Sequence, residues 1–315
     1  MLKIARVFLV SGMLVLGACS ALQTPSADQT TPGPDSVTPA FPTLVPPTPL
    51  PDIPGISPAQ VRNSEYQPGF LAQIRTVLLK DGQYQEGNPG DTDYISVSVT
   101  DYIARGDLNG DGENEAVAVV AENYGGSGSF VFLAVYQYLN DEAVFLSSIF
   151  LDDRPLINAL AVEDGEIFVD AVVHNTDDPM CCPTLATTRH FRLNGVNLIL
   201  TDFTTLTPAG ELRQITIEAP VDSAQVTGII RLLGNISIAP FENNLVYRVY
   251  DLGGVELSAG PITVESAGPG APGEFEKAVD LGDILTDTTV RIAVEDRSAA
   301  DNSLLALDSI FLQVR

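Results

Sequence analysis

Between residues 130 and 203 the chain keeps reversing direction within two or three residues. Asn140-Asp141, Glu163-Asp164-Gly165 and Asn194-Gly195 each stand between runs rich in aliphatic, aromatic and β-branched residues. Asn, Asp and Gly tolerate the left-handed backbone that tight hairpins require. A parallel pair would need a crossover of a dozen residues or more, so these neighbouring runs are antiparallel. The paired runs are 130–139 with 143–151, 157–162 with 166–173, and 187–193 with 198–203. Upstream, Tyr94 to Thr100 alternates apolar and polar residues with period 2, the pattern of a half-buried strand. Ala116 to Ala121 (AVAVVA) is continuously apolar, the pattern of a strand covered on both faces. A short helix is expected over Ser57–Asn63, with Ser57 as N-cap and Pro58 at its first position. Residues 57–207 therefore read as one β-rich domain, mostly an antiparallel meander.

Residues 213–315 give about seven further strands at sandwich spacing: 214–219, 228–239, 245–251, 255–265, 274–281, 289–296 and 309–314. Gly253-Gly254 joins two of them. The chain has no Trp, which excludes an antibody-type core built on a Cys…Trp…Cys pattern. Pro220, the Gly234–Ala239 run, Phe241-Glu242 and the Tyr247–Asp251 run followed by Gly-Gly make this segment resemble the immunoglobulin-like domain found beside GerMN modules in spore-germination proteins. The resemblance implies a β-sandwich and carries no functional residues with it. Phe241-Glu242 itself reads as a strand-connecting loop with one aromatic anchor. The expected fold class is mainly β, an N-terminal antiparallel β domain followed by a C-terminal immunoglobulin-like β-sandwich.

The first 56 residues follow other rules. Lys3 and Arg6 precede an apolar run, Val7 to Leu16, that is too short to span a bilayer. Leu16-Gly-Ala-Cys19 follows directly and resembles the lipobox of bacterial lipoproteins. That resemblance implies a signal peptide over residues 1–18 and a diacylglycerol on the Cys19 thiol, hence a membrane partner reached through the lipid at the extracytoplasmic face. Cleavage removes two positive charges and no acid, taking the net charge from −25 to −27. Residues 19–56 are rich in Pro, Thr and Ser and keep no apolar period. They read as a disordered or polyproline-like tether with a reach on the order of 100 Å. With 41 acidic and 16 basic residues the chain is a poor ligand for nucleic acid, whose backbone is bound by neutralising it.

Asp107-Leu-Asn-Gly-Asp-Gly-Glu-Asn-Glu115 places oxygen donors at positions 1, 3, 5 and 9, with Gly112 at the position of a sharp turn. Asp107, Asn109, Asp111, Glu115 and the Glu113 carbonyl form a hard oxygen set suited to Ca²⁺. Position 12 is Ala118, so the loop is not an EF-hand. It resembles the calcium loops of FG-GAP and VCBS-type repeats, over about 15 residues and in one copy. The other reading is a solvated Asx turn without an ion. Arg105-Gly106-Asp107 spells an adhesion tripeptide, but its Asp is already one of the metal donors. Asn123 to Ser129 is Gly-rich, lacks the Lys of a P-loop and leads into a strand, so it reads as a hairpin loop.

Cys181 and Cys182 are adjacent, bracketed by His174 and His190. They form a vicinal disulfide, stay as free thiols, or contribute to a metal site; adjacent Cys ligands do not fit the usual zinc spacing. No nucleophile–base constellation is evident. The expected role is a lipid-anchored, non-catalytic binding or scaffolding module whose partner is an envelope protein or polysaccharide. The alternative is an envelope-acting hydrolase that uses carboxylates of the N-terminal domain.

Overall fold

The structure is a computed structural model, and it describes residues 54–315 apart from Ala72 and Pro269. The expected signal peptide, Cys19 and most of the expected tether lie outside the described residues. The chain joins the fold slightly earlier than its composition suggests. Asn114 N–H donates to the Pro54 carbonyl and Ile56 N–H to the Asn114 carbonyl, and the Ile56 side chain is fully buried. Burial of this apolar side chain favours docking of the segment. Helix α1 (Pro58–Val61) follows, shorter than expected but closed by a full capping box between Ser57 and Gln60.

Strands β1 (Glu65–Tyr66) and β2 (Val77–Leu78) pair as a small ribbon. The next five strands are β3 (Gln83–Glu86), β4 (Ile95–Gly106), β5 (Glu115–Asn123), β6 (Phe130–Leu139) and β7 (Glu142–Asp153). They form one antiparallel sheet in sequence order. Strand β5 contains AVAVVA and is covered on both sides, as its unbroken apolar run predicts. Ala116, Ala118 and Val120 face a core completed by Ile56, Val61, Tyr66, Val77 and Leu79. Val117 and Val119 face the opposite core. Strand β4 runs six residues past the alternating stretch, through an irregularity between Val99 and Ile103. There the Arg62 guanidinium donates to the Val99 and Thr100 carbonyls (3.1 and 2.8 Å), so a bulge costs little in lost hydrogen bonds.

The second core of this half is closed by β8 (Leu156–Glu163), β9 (Glu166–Val173), β10 (Leu185–Asn194) and β11 (Asn197–Leu206). Ile167, Val169 and Ala171 of β9 and Phe191 of β10 pack against Leu133 and Val135 of β6. The meander is thus folded on itself into a sandwich of two sheets. The hairpins fall where the turn residues stand: Asn140 and Asp141 at φ 53° and 64°, Asp164 and Gly165 at 51° and 79°. Both have positive φ at the two central positions, the twist that matches antiparallel strands.

After β12 (Leu212–Arg213) come β13 (Ile215–Ala219), β14 (Gln225–Val226), β15 (Ile229–Ile236), β16 (Asn244–Asp251), β17 (Glu256–Ser266), β18 (Gly273–Asp280), β19 (Thr288–Arg297) and β20 (Leu304–Val314). One sheet runs β13-β15-β18-β17 and the other β17-β16-β19-β20. Strand β17 serves both, pairing with β16 over 256–263 and with β18 over 264–266. Taken as A, B, C, D, E, F and G in chain order without the short β14, this is the ABED/CFG arrangement of the immunoglobulin fold. Its fully packed core includes Leu232, Ile236, Leu245, Val249, Ile262, Phe275, Ile292 and Leu312, with Phe275 the one aromatic among its buried residues.

The two halves share a sheet edge. Strand β11 pairs with β20 through Asp202 opposite Asp308 and Phe203 opposite Leu307. Phe203, Ala293 and Leu307 form a small core across this seam.

Candidate binding surface, acidic loop and carboxylate seam

The acidic loop links β4 to β5 beside the point where the chain enters the fold. Both Asp107 oxygens accept backbone N–H groups, from Gly110 (2.6 Å) and Gly112 (2.9 Å). Asp111 Oδ1 accepts from Glu113 N–H, and Asn109 Oδ1 from Asp111 N–H (2.8 Å each). Gly110 and Gly112 have φ of 80° and 87°, which only glycine adopts without strain. Glu115 is fully buried; its carboxylate accepts from Leu108 N–H and from the Asn109 amide (2.9 and 3.1 Å). Burial raises its pKa, and the charges of Asp111 and Asp107 raise it further. Arg105, the nearest cation in sequence, is turned to the Ile56 carbonyl instead. The donor chemistry therefore suits a hard cation, since three mutually repelling carboxylates share the site. Yet among the described residues no three His, Cys, Asp or Glu side chains are gathered closely enough to hold a metal ion. As they stand, the carboxylates of this loop are directed to backbone N–H groups and to the Asn109 amide.

The Gly-rich segment is the β5–β6 hairpin loop. Asn123 ties it, donating to the Gly126 carbonyl (3.0 Å) and accepting from Gly125 N–H (3.0 Å).

Cys181 and Cys182 are joined as a vicinal disulfide in the loop between β9 and β10, and both are exposed. Asp178 shapes the loop by accepting from Asn175 N–H (2.8 Å) and from Thr184 N–H (2.7 Å). The two histidines do not meet there. His174 Nδ1 lies 2.9 Å from Asp152 Oδ2. His190 is opposite Phe168 in the β9–β10 ladder, six residues along β9 from His174, with ring centroids 4.3 Å apart. Burial works to lower the pKa of His174, but the Asp152 bond and charge outweigh it and the net shift is upward. Burial lowers that of His190, with Glu166 opposing.

This loop also touches the second sandwich, where Thr176 Oγ1 donates to Asp301 Oδ2 in the β19–β20 connection. Strand β16 begins where the antiparallel β19 ends, and β17 ends where β16 begins. The β15–β16, β17–β18 and β19–β20 connections therefore lie together at one end. The first of them carries Phe241, which is 73% exposed. Its neighbours Glu242 and Asn243 sit in the left-handed region at φ 57° and 56°, holding the ring outward. Met180 beside the cysteines is 61% exposed.

No protein-family model matches the chain, and no curated protein sequence matches it. Its function is therefore argued from its own geometry.

The charged cluster at the seam was not legible as a site in the sequence. Asp202 on β11 and Asp308 on β20 face each other. Arg192 of β10 donates to Glu166 of β9 (2.5 Å) and to Asp222 (2.9 Å), and its guanidinium lies 5.3 Å from the Phe311 ring centroid. The available signal was one Asp inside the expected strand 198–203 and another just before the expected strand 309–314. Other carboxylates line two adjoining grooves of about 440 and 610 Å³ on the outer face of β13-β15-β18-β17. Glu218, Glu265 and Glu274 line both, and Glu265 stands opposite Glu274. Neither Asp202 nor Asp308 lines these grooves.

Proposed function

We propose that this protein is a lipid-anchored component of a bacterial cell envelope that binds a partner without transforming it. Cys19 is the anchor, residues 20–53 the tether, and the paired sandwiches the part that reaches the partner. The observation that carries this reading is the bond from Thr176 to Asp301. It places the Cys181-Cys182 loop of the first half against the same end of the immunoglobulin-like sandwich that displays Phe241. Variable domains of the same architecture use the loops of one sandwich end for recognition. Exposed, conformationally held aromatic side chains supply large contact area at low entropic cost. The partner class is an envelope protein or polysaccharide.

Calcium is a structural ion in this reading, held by Asp107, Asn109, Asp111, Glu115 and the Glu113 carbonyl after the carboxylates turn from their backbone N–H partners. Its affinity would lie in the range of extracellular modules, about 10⁻⁴ to 10⁻³ M. The acidic grooves give the hydrolase reading its best footing, because Glu265 and Glu274 are cross-strand neighbours. They lie on an open sheet face rather than in a water-excluding cleft, which favours binding over glycosidic chemistry.

Two experiments separate these readings. Growth with labelled palmitate should label the wild-type protein and leave Cys19→Ser unlabelled; an unlabelled wild type removes the anchor. Pull-down from intact envelopes with residues 54–315 as bait should recover a partner that Phe241→Ala retains at least tenfold less well. Equal recovery by the variant excludes this end as the contact, and turnover of an envelope substrate replaces the binding reading with the hydrolase one.

A further inference from the structure

We propose that the seam between the two sandwiches is a pH-responsive joint, held more firmly in mild acid and weakened when Asp202 and Asp308 are both ionised. The ladder that joins β11 to β20 has two residue pairs, and one of them sets an Asp against an Asp. Like charges directly opposite across an antiparallel pair repel. The side chains differ in their support. Asp308 Oδ2 accepts from Ile217 N–H at 2.7 Å, whereas no group among the described residues donates to the Asp202 carboxyl.

The charged groups around the pair come from β9, β10 and the segment before β14, and the one cation among them is held by two other acids. Glu166 on β9 adds a third negative charge and Asp222, before β14, a fourth. Arg192 on β10 is committed to those two acids. His190, which pairs with Asp202 along β10–β11, lies 3.9 Å from Glu166, and burial keeps it toward its neutral form. Burial first, then the Asp308 and Glu166 charges, push the pKa of Asp202 up to about 7. Burial pushes Asp308 up to about 6, against its backbone N–H bonds and with help from Glu166 and Asp222.

In the unfolded chain both carboxyls lose their protons near pH ~4. Between about pH 4 and 7 the folded chain thus holds protons that the unfolded chain has released. Stability therefore rises as pH falls through that window. Three further ties across the seam carry no acid at all. Thr205 Oγ1 donates to the Leu305 carbonyl (2.8 Å), Ser309 Oγ to the Thr201 carbonyl (2.9 Å) and Arg291 to the Leu200 carbonyl (2.9 Å). Acidification tightens a joint that is already formed.

The test is thermal unfolding of the full chain between pH 4.5 and 8, for wild type and for Asp202→Asn/Asp308→Asn. Wild type should gain about 5 °C or more in Tm between pH 7.5 and 5.5. The double variant should lose most of that gain and melt above wild type at pH 7.5, because its amides mimic the protonated pair. An unchanged pH slope in the variant, or a variant less stable than wild type at pH 7.5, overturns the proposal. If the double variant does not fold, carboxyl-carbon NMR titration of the wild type decides. An Asp202 midpoint near 7 supports the joint, and one near 4 overturns it.

Discussion

Glu122 is the residue whose replacement should reveal most about how the N-terminal segment is held. It lies on β5, is 1% exposed, and has no cation among its bonded partners. Its carboxylate instead collects donors, two from the segment that covers the sheet and one from the adjoining β5–β6 loop. The fully buried Tyr66 hydroxyl donates at 2.6 Å, Gly69 N–H reaches both oxygens at 3.0 and 3.2 Å, and the Tyr124 hydroxyl donates to Oε2. A hydrogen bond to a charged group contributes about 1.5–3 kcal/mol, and a buried donor left unpaired costs about 1–3 kcal/mol. Tyr66→Phe removes one bond and keeps the ring, so it should cost about 2 kcal/mol. Glu122→Ala strands three donors and opens a cavity, so it should cost about 4–5 kcal/mol. For a folded region of this size that is roughly 10–15 °C in Tm. Denaturant unfolding of both single variants and the double variant closes a thermodynamic cycle. The double variant should cost clearly less than the sum, because Glu122→Ala has already removed the acceptor for Tyr66. A loss below about 1 kcal/mol for Glu122→Ala, or strict additivity, would refute the claim that this carboxylate is the organising acceptor.

Calcium at millimolar concentration should raise the Tm of the wild type and leave Asp111→Ala unmoved; equal Tm changes in both would return the acidic loop to a plain Asx turn. Iodoacetamide should modify neither Cys181 nor Cys182 before reduction and both after it, read by intact mass. The imidazole of His174 should titrate above the usual histidine value, with Asp152→Asn bringing it down, in a proton NMR titration. Because its folded pKa is raised, this pair contributes stability below pH ~6.5 and loses it as pH rises through the folded value. Gly69→Val should destabilise, since a Cβ there would lie 2.3 Å from the Phe132 ring.

The strand pattern was readable because its causes are local. Alternation over 94–100, the unbroken apolar run of β5, and Asn, Asp or Gly at the reversals specify pleat, burial and turn with information a few residues apart. The seven strands of the second sandwich fell within a few residues of their expected places for the same reason, apart from the last, which begins five residues earlier. The acidic loop was visible as a set of donors, although the direction of its carboxylates depends on backbone N–H groups that the turn itself presents.

Local residue patterns settle that this protein is built of antiparallel β-structure, where most of its hairpins reverse, and which residues carry charge and sulfur. Long-range packing sets the rest: the meander folds into two facing sheets, Tyr66 meets Glu122, Thr176 meets Asp301, and Asp202 stands against Asp308. Those partners lie between 56 and 125 residues apart in sequence. No periodic signal spans such distances, because the pairing arises from which hydrophobic faces bury each other, and the polar contacts follow from that choice.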